Sequence, residues 1–403
     1  MDLSRFKISS AAFTLPAKAT LVATAIISTA NVASSNALVP LQENTSFECY
    51  LEQAVWSDGR NWYVTPSGRL EDFVYLPHED PGMLAFEQLV LEKLYWWSAS
   101  AMRSPDKAPL YARRIYDQLM EMDKANAATQ VLTNDLAMQN LVHKDFLLTV
   151  GYAILVIKET SALPTDQFNE LIEFFVRRLQ IPEYQRSDFY EARSCFAATD
   201  NPHAVGGCQN HTIGHQHLRA LYGFVLGVEE EQSRGEAMYR FAVNDLMPDG
   251  ALWREAQRGA YSWSYYSHAL NNLLAIGDLF ARNGTPIWDY ANPRGQTIHD
   301  AVEFFVRSLQ DPTNERLMWH YAVENSGMNR SHSLGSNPRS LERYDQVLER
   351  LWFTEWFPIY RSWFPDHPNT TVMSDLYTGA ILPTHSYHTG FNTWCTMGGG
   401  LTE

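Results

Sequence analysis

The chain has 403 residues, enough for one large domain or two ordinary ones around a substantial core. Its formal charge of −15 offers no basic footprint for nucleic acid, and it opposes an acidic polymer unless local charge overrides the mean. The 12 Trp, 20 Tyr and 20 Phe are a heavy aromatic load, suited to helix packing and also to stacking on sugar rings.

In chain order, Arg5, Lys7 and Lys18 precede an apolar run at 21–27 and small residues through Ala37. That order is a signal peptide's, although Pro16 interrupts it, so residues 1–37 are expected to be removed and the protein to be periplasmic or secreted. A disordered or mitochondrial-type leader is the alternative. No other stretch is long and apolar enough to span a bilayer. Of the four cysteines, Cys195 and Cys208 enclose a loop short enough to close as a disulfide, and Cys49 with Cys395 would tie the two chain ends together. Their wide spacing is unlike a metal knuckle.

From residue 38 to about 82 the punctuation by Pro, Gly and Asn predicts an irregular N-terminal arm. Apolar residues at three-to-four spacing then predict helices at 83–100, 110–122, 125–136, 138–158 and 165–179, with a break at 103–108. Thr165 reads as a cap, and Pro182 stops what precedes it. Residues 183–209 should cross the face that holds the site. Further helices are expected at 211–226, 230–246, 262–283, 298–310, 314–323 and 340–361, followed by an irregular tail from Arg361 onward. The octamer EFFVRRLQ at 173–180 returns as EFFVRSLQ at 303–310, as duplicated helical hairpins would produce and as chance likeness between amphipathic helices would too. With no βαβ rhythm, the fold class is all-α. A bundle or a closed ring of helical hairpins remains, with residues 38–403 as one domain.

Two polar stretches organise the chemistry. The first runs from Cys208 to His217 and holds Gln209, Asn210, His211 and His215; the second runs from Asp249 to Tyr266 and holds Arg254, Arg258, Trp263, Tyr265 and Tyr266. Each leads into an apolar helical run, so the polar groups should sit at helix starts facing a common space. An amide beside an imidazole grips a carboxylate, and a guanidinium adds charge in a matching fork. Seven residues separate Arg258 from Tyr265, so on one continuous helix both would point the same way. A free tyrosine, with a pKa of about 10, is a poor base, but beside a guanidinium and an imidazole a phenolate is stabilised. Such a set suits an anionic sugar whose proton next to the carboxylate is removed as the C4 oxygen leaves.

Asn210-His211, Asp249-Gly250, Arg258-Gly259, Tyr265 and Ala269-Leu270 together resemble the bacterial alginate lyases of polysaccharide lyase family 5 and their relatives, chiefly over residues 205–285. The resemblance implies an incomplete (α/α) toroid, an exported enzyme, and β-elimination on mannuronate-rich chains without metal or other cofactor. It also implies roles: Tyr265 as base and acid, with Asn210, His211 and Arg258 neutralising the carboxylate. His211 is the alternative base for a proton on the opposite face of the ring. Gln209, Arg254, Trp263, His215, Tyr266 and His268 are the expected substrate contacts. Departures are visible: Gln209 replaces an asparagine, Tyr266 replaces the histidine that commonly follows the tyrosine, and the family's lysine-bearing segment has no counterpart beyond Arg103 or Lys107. Glucuronan or a mixed uronate polymer therefore stands beside alginate as the anionic polysaccharide partner.

Other readings compete. His211, His215 and His217 are spaced to ligate a metal, although no glutamate completes a His-Glu-x-x-His motif. Asp249 reads as a turn residue and Glu255 as a brace for Arg258. Either of them paired with Asp245 or Asp200 would instead make a glycoside hydrolase. A polysaccharide-binding or export protein without turnover is the non-enzyme alternative.

Overall fold

A helix that is apolar all round must be covered on every side, whereas one with a single apolar stripe needs cover on one side only. Both kinds alternate along this chain. The computed structural model describes residues 90–127, 136–185, 188–192, 195, 208–258, 262–310, 318, 321 and 356–377, all within the unit Asn36–Glu403. The described helices begin with α1 (Glu92–Arg103), α2 (Ala108–Lys124), α3 (Leu136–Thr160) and α4 (Thr165–Leu179). Two single turns, α5 (Pro182–Gln185) and α6 (Asp188–Glu191), precede α7 (Asn210–Leu226) and α8 (Glu229–Asn244). A further turn, α9 (Trp253–Ala256), leads into α10 (Ser262–Arg282) and α11 (Ile298–Gln310), and α12 (Phe357–Trp363) and α13 (Pro368–Tyr377) come last. Among the described residues there is no strand, and no helix is long and apolar enough to cross a membrane.

The packing is two-layered. Helices α1, α3, α7 and α10 follow one another side by side, and each is backed by the helix after it, α2, α4, α8 and α11. Sequence explains the sorting. In α7 every side chain except those of His211, Tyr222 and Leu226 is buried, and in α10 every one except those of Trp263, Ser264, Tyr265, His268 and Ala281. By contrast α8 buries Gly235, Met238, Tyr239, Ala242 and Val243 on one side and exposes Glu229, Glu230, Ser233 and Arg240 on the other. The α7–α8 hairpin is tight because both helices present small residues: a Cβ added at Gly235 would lie 2.4 Å from the Cβ of Ala220.

The repeated octamers occupy equivalent places on α4 and α11. Phe174, Phe175 and Leu179 are buried on α4, as are Phe304, Phe305 and Leu309 on α11, while Arg177–Glu173 and Arg307–Glu303 form exposed pairs at 3.5 and 3.8 Å. They diverge where the repeat does. Arg178 is buried and reaches Asp123 and the Ala127 carbonyl, whereas Ser308 bonds back to Phe304 O within its own helix.

Some local expectations need correction. Thr165 is the first helical residue of α4, and the cap position is Pro164, with no side-chain cap. A helix, α13, starts at Pro368 within the stretch read as irregular; proline suits a first turn, where its missing N–H has no intrahelical partner anyway. Helix α1 continues to Arg103, into the expected break. Cys195 and Cys208 are joined, with Cα atoms 4.9 Å apart. Closing so short a loop is worth about 3 kcal/mol, and it anchors the chain just before α7. The leader, the N-terminal arm, Cys49, Cys395, the C-terminal tail and most of 314–323 and 340–355 lie outside the described residues.

Candidate active site

The first N–H groups of a helix have no intrahelical acceptor. At the start of α7, Gln209 is extended and offers no side-chain cap; the Asn210 N–H instead donates to Glu255 Oε1, 2.6 Å away on α9. Beside it, Arg258 Nη1 donates to Gln209 Oε1. These two contacts join the two polar stretches. Arg258 then lies across the third element: its Cζ is 4.2 Å from the ring centroid of Tyr265, in the first turn of α10. The seven-residue spacing brings them together, but not along one helix. Arg258 follows α9, and α10 begins only at Ser262.

The exceptions to burial mark the opening. On α7 the only partly exposed residue near the start is His211, and on α10 the partly exposed residues gather in the first two turns at Trp263, Ser264, Tyr265 and His268. Asn210 is 5% exposed, and its Oδ1 finds no partner among the described residues. His268 meets the Tyr265 ring edge-on at 6.4 Å. Positive potential collects here from Arg258 and from the N-termini of α7 and α10, and the negative group set against it is Glu255. Burial pushes the Glu255 carboxyl up to about 7, against the opposing pull of Arg258, the Asn210 N–H and Arg254.

Several expected contacts lie deeper than a sugar reaches. Tyr266 is fully buried: its hydroxyl accepts the Leu252 N–H at 3.1 Å and donates to Ala301 O at 3.0 Å, while its ring stacks on Phe304 and Phe305. His215 is 1% exposed, and its Nδ1 meets the Tyr184 hydroxyl at 2.7 Å. Arg254 is held by Asp245 at 2.7 Å and covers Trp253. Trp263 is half open and packs edge-on against Phe305. His217 is sealed; its Nδ1–H donates to Asn272 Oδ1 at 2.9 Å and its Nε2 accepts from Tyr152 at 2.7 Å, so neither ring nitrogen is left for a metal. Among the described residues no group of three or more His, Cys, Asp or Glu is placed to hold a metal ion.

The carboxylates of the hydrolase reading are also engaged. Asp249 accepts the Tyr321 hydroxyl on both oxygens and the Ala251 N–H, as a turn residue before Gly250 at φ 92°. Asp245 carries Arg254, and Asp200 is outside the described residues. Lys107 is exposed at the start of α2.

What sequence reading missed is the layer beneath. Lys144 on α3 is 1% exposed, pairs with Asp145 at 2.6 Å and packs over Gly214, where an added Cβ would lie 3.1 Å from its Nζ. With His143 and Tyr152 on α3, His215 and His217 on α7 and Asn272 on α10 it makes up a buried polar layer. Its signal was visible as His-Lys-Asp at 143–145 inside an otherwise apolar helical run.

The family model for alginate lyase matches residues 119–314. No curated protein matches the chain. Among solved structures, a tyrosine-to-phenylalanine variant of alginate lyase A1-III complexed with a tetrasaccharide is similar at TM-score 0.60 and 15% identity, covering 94% of this chain and 93% of that one. A histidine-to-alanine variant of the same protein, also with a tetrasaccharide, matches at TM-score 0.59 and 15% identity over 90% and 94%. Alginate lyase A1-III from Sphingomonas species A1 matches at TM-score 0.55 and 16% identity over 94% and 93%. The two helical layers are thus those of an α/α toroid.

Proposed function

We propose that this chain, which the alginate lyase family model matches over residues 119–314, is a polysaccharide lyase that cleaves a uronate polymer by metal-independent β-elimination. Mannuronate-rich alginate is the first substrate and glucuronan the second. The observation that carries the reading is the Arg258 guanidinium, which lies over the Tyr265 ring and is bonded to the residue preceding Asn210.

In this scheme the sugar carboxylate settles against Arg258, the Asn210 amide and His211, at the positive ends of α7 and α10. Tyr265, as phenolate, takes the C5 proton. The electron pair left on C5 delocalises into the carboxylate, which gains enediolate character, and this is where the three donors act most strongly. The pair then forms the C4–C5 double bond as the C4–O bond breaks, and the departing oxygen takes the proton from Tyr265. One chain ends in a 4,5-unsaturated sugar and the other in a new terminus, and the phenolate is restored. His211 is the base when the C5 proton lies on the opposite ring face. Trp263 and His268 flank the same opening and serve as sugar contacts, and Gln209 orients Arg258. The leader at 1–37 would deliver the enzyme to the periplasm or beyond, where such polymers occur.

The test is a panel. The mature protein is incubated with polymannuronate, polyguluronate, glucuronan and hyaluronan, with and without a chelator, while the ultraviolet absorbance of a C4–C5 double bond is followed. Absorbance growing equally in both conditions on a uronate polymer is the expected result. New reducing ends without absorbance would mean hydrolysis, and binding without new ends would mean a non-catalytic protein.

A further inference from the structure

We infer that Glu255 is a positioning residue for this elimination, holding the start of α7 and Arg258 in register so that Asn210, His211 and the guanidinium meet one carboxylate. The inference rests on the lyase reading and goes beyond it, since Glu255 itself reaches no sugar: it is 1% exposed.

Three observations carry it. Glu255 Oε1 accepts the Asn210 N–H at 2.6 Å, so the carboxylate fixes the backbone of the first residue of α7 and, through it, the direction of its amide and of the next side chain, His211. Glu255 Oε2 is buried and has no hydrogen-bond partner among the described residues, an arrangement that structural caps avoid. Glu255 lines a small pocket in which Cys208, Ile213, Phe241, Ala242 and Leu252 stand beside the Arg254–Asp245 ion pair, so the carboxyl is desolvated by apolar groups on one side and faces a paired guanidinium on the other.

The charged neighbours decide how this carboxyl acts at each pH. Arg258 and Arg254 act on Glu255 from its own segment and the Asn210 N–H acts from α7, while Asp245, bridged to Arg254 at the end of α8, lines the same pocket. With its carboxyl pushed up to about 7, Glu255 is neutral in mildly acidic solution and leaves the full charge of Arg258 to the substrate. Above neutrality the ionised carboxylate competes for that charge, and affinity for an anionic polymer falls. The group therefore tunes substrate binding without donating or accepting the reacting proton.

The experiment compares full-length wild type, Glu255→Gln and Glu255→Asp in steady-state turnover of polymannuronate on both sides of neutrality, with melting temperature as a check on folding. Wild type should show a KM that rises severalfold from mildly acidic to mildly alkaline solution. Glu255→Gln keeps an oxygen for the Asn210 N–H and should lose most of that rise while keeping kcat within about threefold of wild type. Glu255→Asp, too short to reach Asn210, should lose about tenfold or more in kcat through misplacement. An unchanged KM profile in Glu255→Gln would overturn the inference, and so would loss of turnover in a folded Glu255→Gln, which would make the carboxyl a proton-transfer group. A wild type that forms no unsaturated ends on any uronate polymer would sink the lyase reading and this inference with it.

Discussion

His211 and His215 stand one turn apart on α7, and Tyr265 and Tyr266 are neighbours on α10, yet within each pair one side chain is half open and the other sealed. The open members sit in the first turns of α7 and α10, with the Arg258 guanidinium over the Tyr265 ring. The sealed members belong to the buried polar layer or the apolar core, where their polar atoms meet Tyr184, Leu252 and Ala301. Residue type is the same in both places. Depth below the opening decides whether an imidazole or phenol can meet a substrate or can only hold the scaffold.

The largest effect should separate the adjacent tyrosines. Tyr265→Phe is expected to reduce turnover by about 10³-fold while polymer affinity, measured by calorimetry, persists. Tyr266→Phe should leave kcat near wild type but reduce unfolding free energy by about 1–3 kcal/mol, because the Leu252 N–H and the Ala301 carbonyl lose their buried partner. Full activity in Tyr265→Phe would erase the distinction. The next effect concerns the buried imidazoles. His217→Leu strands the Tyr152 hydroxyl and the Asn272 carbonyl oxygen, so denaturant unfolding should show a loss of about 2–4 kcal/mol with kcat of the folded fraction little changed.

The smallest effect is in pH dependence. Burial lowers His143 to about 4, His217 to about 3 and His215 well below its ordinary value. For a histidine so depressed, the unfolded chain binds the proton more readily. The stabilisation is complete above about pH 6.5 and is lost as pH falls toward about 3. Glu255 has the opposite sign: raised to about 7, its contribution is present below its ordinary range and is lost as pH rises through about 7. Melting temperature should therefore fall on the acid side as the histidines protonate, while the Glu255 contribution is lost between its ordinary range and about pH 7, and Glu255→Gln should remove that second loss alone. A flat acid limb would mean that the three histidines are not held neutral in the folded state.

Much of the fold was legible along the chain, and the failures share one cause. Spacing located α4 and α11 at 165–179 and 298–310, and it placed the boundaries of α7, α8 and α10 within a residue or two, because a helix's apolar stripe is written in near neighbours. The Cys195–Cys208 loop was legible from its length. Arg258 and Tyr265 were rightly expected together for a mistaken reason, since the contact is made across a break between two helices. Tyr266, His215 and Arg254 were placed at the sugar because motif adjacency carries no information about which way a side chain faces. Glu255 was read as a brace for Arg258, and its bond to the Asn210 N–H, 45 residues away, has no local sequence signal.

What the sequence determined by itself was therefore the helical class, the pairing of apolar with amphipathic helices, and the two stretches that carry polar groups at helix starts. Periodicity and capping act within a few residues, so they can be read along the chain. Only the tertiary structure decided which of those groups open to a ligand and which are sealed beneath it. That choice depends on how far each side chain lies below the common end of α7 and α10, and on partners such as Glu255 and Asn272 supplied by distant segments.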